Sequence, residues 1–287
     1  MMFPDCRGSS MNAPDFKRFI KLGISLLYFV TRAVVHRALY MIGWPVDQKL
    51  VILYYHGVAG GERSRFARQM QTLQRTARVV PASYRGVLPP GTRHVAITFD
   101  DAFVSVRENA IPELVVRSFH STIFVPTGFL GRCPGWAMRD EEQARNEVVM
   151  TVDQLKELPS DLVTLGSHGS MHVLLSQAQP DKARDEIEGS RQELQNLMGR
   201  EVRLFSFPYG DYDASIVKLC SIAGYDQVFT ICPEQIKTDE EGMLRGRVKV
   251  DPSDWPIEFF LKVNGAYEWM TKWTTSNTRR WAISNPA

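Results

Sequence analysis

Three short stretches carry the residue types that hydrolytic metal chemistry needs: Thr98-Phe99-Asp100-Asp101, Ser167-His168-Gly169-Ser170-Met171-His172 and Phe207-Pro208-Tyr209-Gly210. Two imidazoles four residues apart, with a carboxylate from a separate segment, can supply the three N/O ligands of a catalytic Zn²⁺-type site and leave one position for water. A second carboxylate beside the first can take a proton from that water. Taken singly, each stretch has a plainer reading. An Asp pair after a strand commonly caps a turn or helix, a His-x3-His spacing commonly packs or faces solvent, and Pro-Tyr-Gly commonly makes a turn.

Their setting joins them. Val95-Ala96-Ile97-Thr98-Phe99 is a near-continuous apolar run, as expected of a strand buried on both faces, and it ends on the Asp pair. Val163-Thr164-Leu165-Gly166 leads to His168 in the same way, and Leu204-Phe205-Ser206-Phe207 leads to Pro208 and Tyr209. In parallel α/β sheets and barrels, chemistry collects at the C-terminal ends of the strands. Between the runs, amphipathic stretches at 62–77, 104–118, 151–158, 181–198 and 213–223 read as helices, and Thr151 with Gln154 reads as a capping box. Strand and helix in alternation predict parallel strands, and 287 residues suit one α/β barrel of about 200–250 residues with an extension. The stretch 131–149, with Cys133-Pro134-Gly135-Trp136 ahead of a charged run, reads as a long loop or lid, a solvated insertion being the favoured form.

The three stretches resemble the first three motifs of the polysaccharide deacetylase family, the NodB-homology or carbohydrate esterase family 4 domain: TFDD, H-S/T-x-x-H and a PYG turn. The likeness runs over about residues 50–255 and lies nearest to exopolysaccharide and poly-β-1,6-N-acetylglucosamine deacetylase-like members. It implies a distorted (β/α) barrel of about seven parallel strands and a divalent metal, zinc first, with cobalt or nickel as alternatives. It also implies hydrolysis of N-acetyl groups on the amino sugars of a polysaccharide or oligosaccharide, releasing acetate. Carried onto this chain, the resemblance makes Asp101, His168 and His172 the ligands, Asp100 the base and the Tyr209 backbone N–H an oxyanion donor. Pro208 and Tyr209 then border the substrate. Asp251-Pro252-Ser253-Asp254-Trp255 spells the family's fourth motif, D-x-x-D-W, so Trp255 either lines a sugar groove or simply packs.

Two departures stand out. Many members have an Arg three residues before the Tyr of the third motif, where it steadies the catalytic Asp; here that position is Ser206, and Arg203 or Arg247 are the candidate substitutes. The family's C-terminal general-acid His is also missing, because no histidine follows His172. Of the six histidines, His168 and His172 are the implied ligands, His94 and His120 sit just ahead of their strands at the wrong pole, and His36 lies in the N-terminal segment. His56 ends the run Val51-Ile52-Leu53-Tyr54-Tyr55, at the pole of the motifs. This resembles the branch in which an N-terminal Tyr-His segment supplies the imidazole, and makes His56 the candidate acid.

The net charge of +2, with both signs interspersed, gives no nucleic-acid footprint. Residues 1–47 read as a basic amphipathic helical extension and 48–287 as the catalytic domain. Residues 16–44 are rich in large apolar side chains and carry Lys17, Arg18, Lys21, Arg32, His36 and Arg37, with no acid between Asp15 and Asp47. Their longest uncharged run, 22–31, is about half of the roughly 20 residues a spanning helix needs. A helix lying on an anionic membrane surface is therefore expected over a spanning one, with packing on the barrel as the alternative. No clear small-x-small site follows to mark a signal peptide. The expected location is cytoplasmic or peripheral on the cytoplasmic membrane, with export open. Cys6, Cys133, Cys220 and Cys232 show no pairing pattern, so the redox compartment stays open, as does the oligomeric state. Two other functions fit the same residues: a catalytically silent carbohydrate-binding module on this fold, and a deacylase of small non-sugar amides.

Overall fold

The computed structural model describes residues 13–44, 48–137, 146–238 and 242–271, so Cys6 and positions 138–145 of the expected lid lie outside the described residues. The chain divides into two compact units, Met1–Val46 and Asp47–Ala287. The first contains α1, Ala13–Met41, a 29-residue helix. Its segment Phe16–Met41 is long and apolar enough, by length and composition, to cross a membrane. The short uncharged run at its centre is thus no measure of the whole helix, which tolerates scattered basic residues.

The second unit is built on ten strands: β1 Leu50–Tyr55, β2 Arg78–Val79, β3 His94–Phe99, β4 Ser121–Val125, β5 Val163–Ser167, β6 Leu204–Ser206, β7 Gln227–Phe229, β8 Gln235–Ile236, β9 Leu244–Arg245 and β10 Val248–Lys249. The sheet runs β10-β1-β3-β4-β5-β6-β7-β9, with every neighbouring pair parallel. β2 adds to β3 in parallel, and β8 pairs antiparallel with β1. Among the described residues, β1 to β7 are the expected seven parallel strands, six along the sheet and β2 beside β3, and the two-residue β9 and β10 add one at each edge. β1, β3 and β4 are buried along their whole length, which is why their sequences are nearly unbroken apolar runs. Leu50, Ile52, Ala96, Phe124, Leu204 and Phe229 pack together as one core cluster. On the alternate face, Tyr55 stacks on Phe99 at 5.5 Å and meets Phe66 of α2, Arg63–Thr76, at 5.3 Å.

Outer helices follow the expected stretches. Thr151 caps α3, Val152–Lys156, and its capping box with Gln154 is complete in both directions. Pro180–Arg184 (α4) runs through a π-helical turn, Asp185–Gly189, into Ser190–Met198 (α5). Asp213 caps Ala214–Ile222 (α6) by accepting from the Ser215 and Ile216 N–H groups.

The sheet closes in a small space. β9 pairs with β7 at one edge and β10 with β1 at the other, yet only Gly246 and Arg247 separate β9 from β10. The chain crosses from one edge to the other in two residues and draws the sheet into a nearly closed barrel. Gly246 has no room for a side chain, since a Cβ there would lie 2.6 Å from the Cys232 carbonyl oxygen and 2.6 Å from the Glu234 Cβ. Gly246→Ala should lower unfolding free energy by about 1–3 kcal/mol in urea, with an unchanged m-value. Wild-type stability in that variant would show that the seam yields without cost.

Candidate metal and catalytic site

Strand register places the candidate residues. Tyr55 pairs with Phe99, so His56 and Asp100 leave β1 and β3 side by side, and the Asp100 N–H donates to the Tyr55 carbonyl at 2.9 Å. Val125 pairs with Ser167, and the His168 N–H donates to the Val125 carbonyl at 2.9 Å. Ser167 in turn pairs with Phe205, which brings the Ser206 carbonyl 2.7 Å from His168 Nδ1. With Nδ1–H donating there, His168 presents the bare Nε2 to Asp101.

Asp101 Oδ1 lies 3.6 Å from His168 Nε2 and 3.5 Å from His172 Nε2. The three ligand atoms fall within 4.8 Å of one another, all on buried residues. Two ligands each about 2.1 Å from a tetrahedral cation stand about 3.4 Å apart, so these three atoms suit one small divalent ion. Burial holds both imidazoles below their ordinary pKa and hence neutral, the form that ligates.

The backbone is strained where these groups are delivered. Asp101 (φ 68°), Ala102 (φ 50°), His172 (φ 54°) and Tyr209 (φ 58°) all occupy the left-handed region, joined among the described non-glycine residues only by Ser118. Each such residue costs of order 1–3 kcal/mol unless its surroundings impose it. In the His168–His172 loop the imposing contacts are visible, with Thr127 N–H donating to the Gly169 carbonyl at 3.1 Å and Gly128 N–H to Ser170 at 3.0 Å.

Arg247 supplies what Ser206 lacks. It is fully buried, and its guanidinium binds Asp100 bidentately, Nη1 to Oδ1 at 2.7 Å and Nη2 to Oδ2 at 2.8 Å. Its other donors reach Thr98 Oγ1, Ser206 Oγ and the Thr230 carbonyl, so the fork is fully used. Tyr54, Phe124 and Phe229 surround it with rings, their centroids 4.7, 5.3 and 5.9 Å from Cζ. Burial by itself would raise the Asp100 pKa; the Arg247 charge and its hydrogen bonds override it and bring it down to about 2. Asp100 is thus a fixed carboxylate. The other candidate, Arg203, is half-exposed and pairs with Glu201 and Asp226 at the surface.

His56 is half-buried, edge-on to Tyr54 at 5.7 Å, and close enough to Asp100 to feel its charge. Burial and then Lys249 push it down to about 4, so it rests neutral. Tyr209 meets His172 in a T-shaped arrangement with ring centroids 4.5 Å apart, and its phenol is pushed up to about 12 by burial and then by Asp101. Pro208 opens the same turn and is buried. Trp255 is half-buried and immediately precedes Pro256–Val263 (α7), accepting the Phe259 N–H at its carbonyl. The tryptophan that stacks on the ligand set is Trp136, parallel to His172 at 4.5 Å. The 131–149 stretch is therefore more than a solvated insertion: its ends are tied by Gly131 N–H to the Val149 carbonyl and Val149 N–H to Arg132, and its Trp closes over the site.

Arg247→Met should destabilise the metal-free protein by about 3–5 kcal/mol at pH 7, because it leaves the Asp100 charge buried without a partner. In the wild type, Asp100's depressed pKa contributes stability above 3.8 that fades as pH falls toward about 2. In the variant burial alone acts and raises that pKa, so the stability gap should narrow as pH drops from 7 to 4 in paired urea titrations. A gap independent of pH would remove Asp100 from the explanation.

Residues 88–228 match the family described as polysaccharide deacetylase. YxkH of Bacillus subtilis (strain 168), which carries the name polysaccharide deacetylase, is 25% identical over 215 residues, 71% of this chain and 72% of its own. IcaB from Ammonifex degensii superposes with a TM-score of 0.63 at 25% identity, covering 77% of this chain and 98% of that one. The Streptococcus pyogenes deacetylase PplD, in complex with acetate, gives 0.62 at 19% identity over 76% and 99% of the two chains, a likeness of fold. The motifs at the strand ends, the barrel and the family match agree: residues 88–228 carry a polysaccharide deacetylase domain, the domain of hydrolases that act on N-acetyl amide bonds.

Proposed function

We propose that this chain removes N-acetyl groups from the amino sugars of a glycan, with a divalent ion, zinc first, held by Asp101, His168 and His172. The observation that carries this reading is the buried ligand set standing beside a carboxylate that Arg247 keeps ionised. When bound, the ion would polarise the amide carbonyl and lower the pKa of a water. Asp100, acceptor-only and aimed by two charge-assisted bonds, takes the proton of the attacking water. The left-handed Tyr209 offers its backbone N–H to the developing oxyanion, a contribution that reaches a few kcal/mol in such sites. His56 rests neutral, so to protonate the departing amine it must first receive the proton the water gives up. Asp100, held near 2, does not retain that proton. Trp136 stacks on His172 and shields the ligand set from bulk water. Arg247, standing where Ser206 leaves the carboxylate without an arginine, supports the catalytic reading over a silent binding module.

The test is acetate release from N-acetylglucosamine oligomers, with chelator and with Zn²⁺, Co²⁺ or Ni²⁺ restored. Release should stop on chelation and return with metal, and His56→Ala should slow amide hydrolysis far more than hydrolysis of activated esters, whose leaving groups need no proton. Glycan retained without any acetate would assign a binding module, and release from small amides alone would assign a different deacylase.

We also propose that α1 lies on an anionic membrane surface. Phe16, Phe19, Ile20, Leu27, Val30 and Val34 recur at helical spacing on one side and are 46–69% exposed, while Lys17, Lys21 and Arg32 lie around the other. Arg32 falls in the middle third of Phe16–Met41, where a spanning helix would hold it near the bilayer centre at a cost of about 2.5–3.5 kcal/mol. Leu27→Glu with Val34→Glu should cut sedimentation of the full chain with phosphatidylglycerol vesicles and leave soluble-substrate hydrolysis intact. Unchanged sedimentation would assign this face to packing.

A further inference from the structure

The loop that carries both imidazoles is gripped from outside the site. Glu186 has no solvent exposure and sits in the π-helical turn between α4 and α5, a feature that recurs at functional positions. Its Oε2 accepts the backbone N–H groups of Ser170 at 2.9 Å and Met171 at 2.8 Å. Its Oε1 pairs with Lys182 at 3.0 Å. The next N–H in the loop is held from the same helix, because Gly169 N–H donates to Ser167 Oγ at 3.2 Å and that hydroxyl meets Ser190 Oγ at 2.7 Å. All three N–H groups between the two ligands thus end on side chains anchored by one helix. The carboxylate lies in this cup of N–H groups as an anion lies in a backbone nest. The fit is close: Gly169, at φ 75°, carries no Cβ, and one there would stand 2.9 Å from Oε2.

We infer that Glu186 is a positioning residue for metal binding, fixing the turn that makes His168 and His172 converge on Asp101. It touches no reacting atom. Its carboxylate fixes the left-handed turn at Gly169 and so sets the angle at which His172, itself at φ 54°, meets the ion. A truncated side chain would leave the Ser170 and Met171 N–H groups without their acceptor and free the loop to relax, widening the ligand set. Lys182, half-exposed, neutralises the buried charge without entering the loop.

This rests on the metal site proposed above, and the experiment separates the two. The metal-stripped full chain is titrated with Co²⁺ and with Zn²⁺ by calorimetry, and the visible Co²⁺ bands, which report ligand geometry, are recorded. Glu186→Ala should weaken both ions about 10- to 100-fold and shift the Co²⁺ bands. Glu186→Gln, which keeps an acceptor oxygen at the same reach, should restore most of the affinity, and Glu186→Asp, one methylene short, should fall between. Leu194→Ala, which removes a buried side chain from α5 away from the loop, should lose stability in urea but keep affinity and spectrum. Should Glu186→Ala not fold, the Asp and Gln variants carry the same comparison. Wild-type affinity and spectrum in the Ala variant, or in the Asp variant if Ala does not fold, would overturn the inference, as would equal weakening by Leu194→Ala. A wild-type chain that binds neither ion would overturn the site itself.

Discussion

The ion pair between Arg247 and Asp100 is the constraint on which both barrel and site depend. A carboxylate buried this deeply is tolerable only with a permanent positive partner and full hydrogen bonding, and Arg247 provides both. The same guanidinium reaches Thr98 on β3, Ser206 on β6 and the residue after β7, so it ties together the strand ends around the catalytic pole. It stands at the two-residue crossing where the sheet closes. Asp100 is therefore oriented by the seam of the barrel.

Strain distributes the remaining work. Asp101, Ala102, His172 and Tyr209 hold left-handed backbone that none of them would choose alone, and the hydrogen bonds of neighbouring strands and loops impose it. The Asp101, His168 and His172 side chains thus face one another within 4.8 Å, because the folding of the barrel has already covered the cost of arranging them. Trp136 and Tyr209 add walls to His172 on two sides, and rigid aromatic walls restrict the imidazole more than aliphatic contacts would.

Local signals made much of this legible in the sequence. The apolar runs ending on Asp100, His168 and Pro208 are local patterns, and a parallel sheet converts them into one pole without further information. The capping box at Thr151 and Gln154 is equally local. Arg247 could be named only as one of two candidates, since its partner lies 147 positions away and the choice depends on how the barrel closes. Trp136 read as part of a solvated loop because nothing within the loop says that it folds back over His172. Glu186 was hidden differently: Asp181, Lys182, Arg184, Asp185 and Glu188 surround it, so it looks like one more charge on a solvated face. The composition of 16–44 marks a helical extension that the structure places at 13–41, while a count of uncharged residues in a row does not register the mean apolarity of Phe16–Met41.

The crossing at Gly246 and Arg247 also sets an order in time. Synthesis delivers Asp100 long before Arg247, and the two edge pairings that flank the crossing, β9 with β7 and β10 with β1, join segments far apart in the chain, so the crossing is a contact of high loop-closure cost. Until it forms the sheet is open along two edges, and the carboxylate can stay hydrated because its pocket has no final wall. Closure of the barrel and the pairing of Asp100 with Arg247 thus depend on the same two-residue crossing. A chain whose barrel has not shut therefore leaves Asp100 without the guanidinium that the closed barrel places against it.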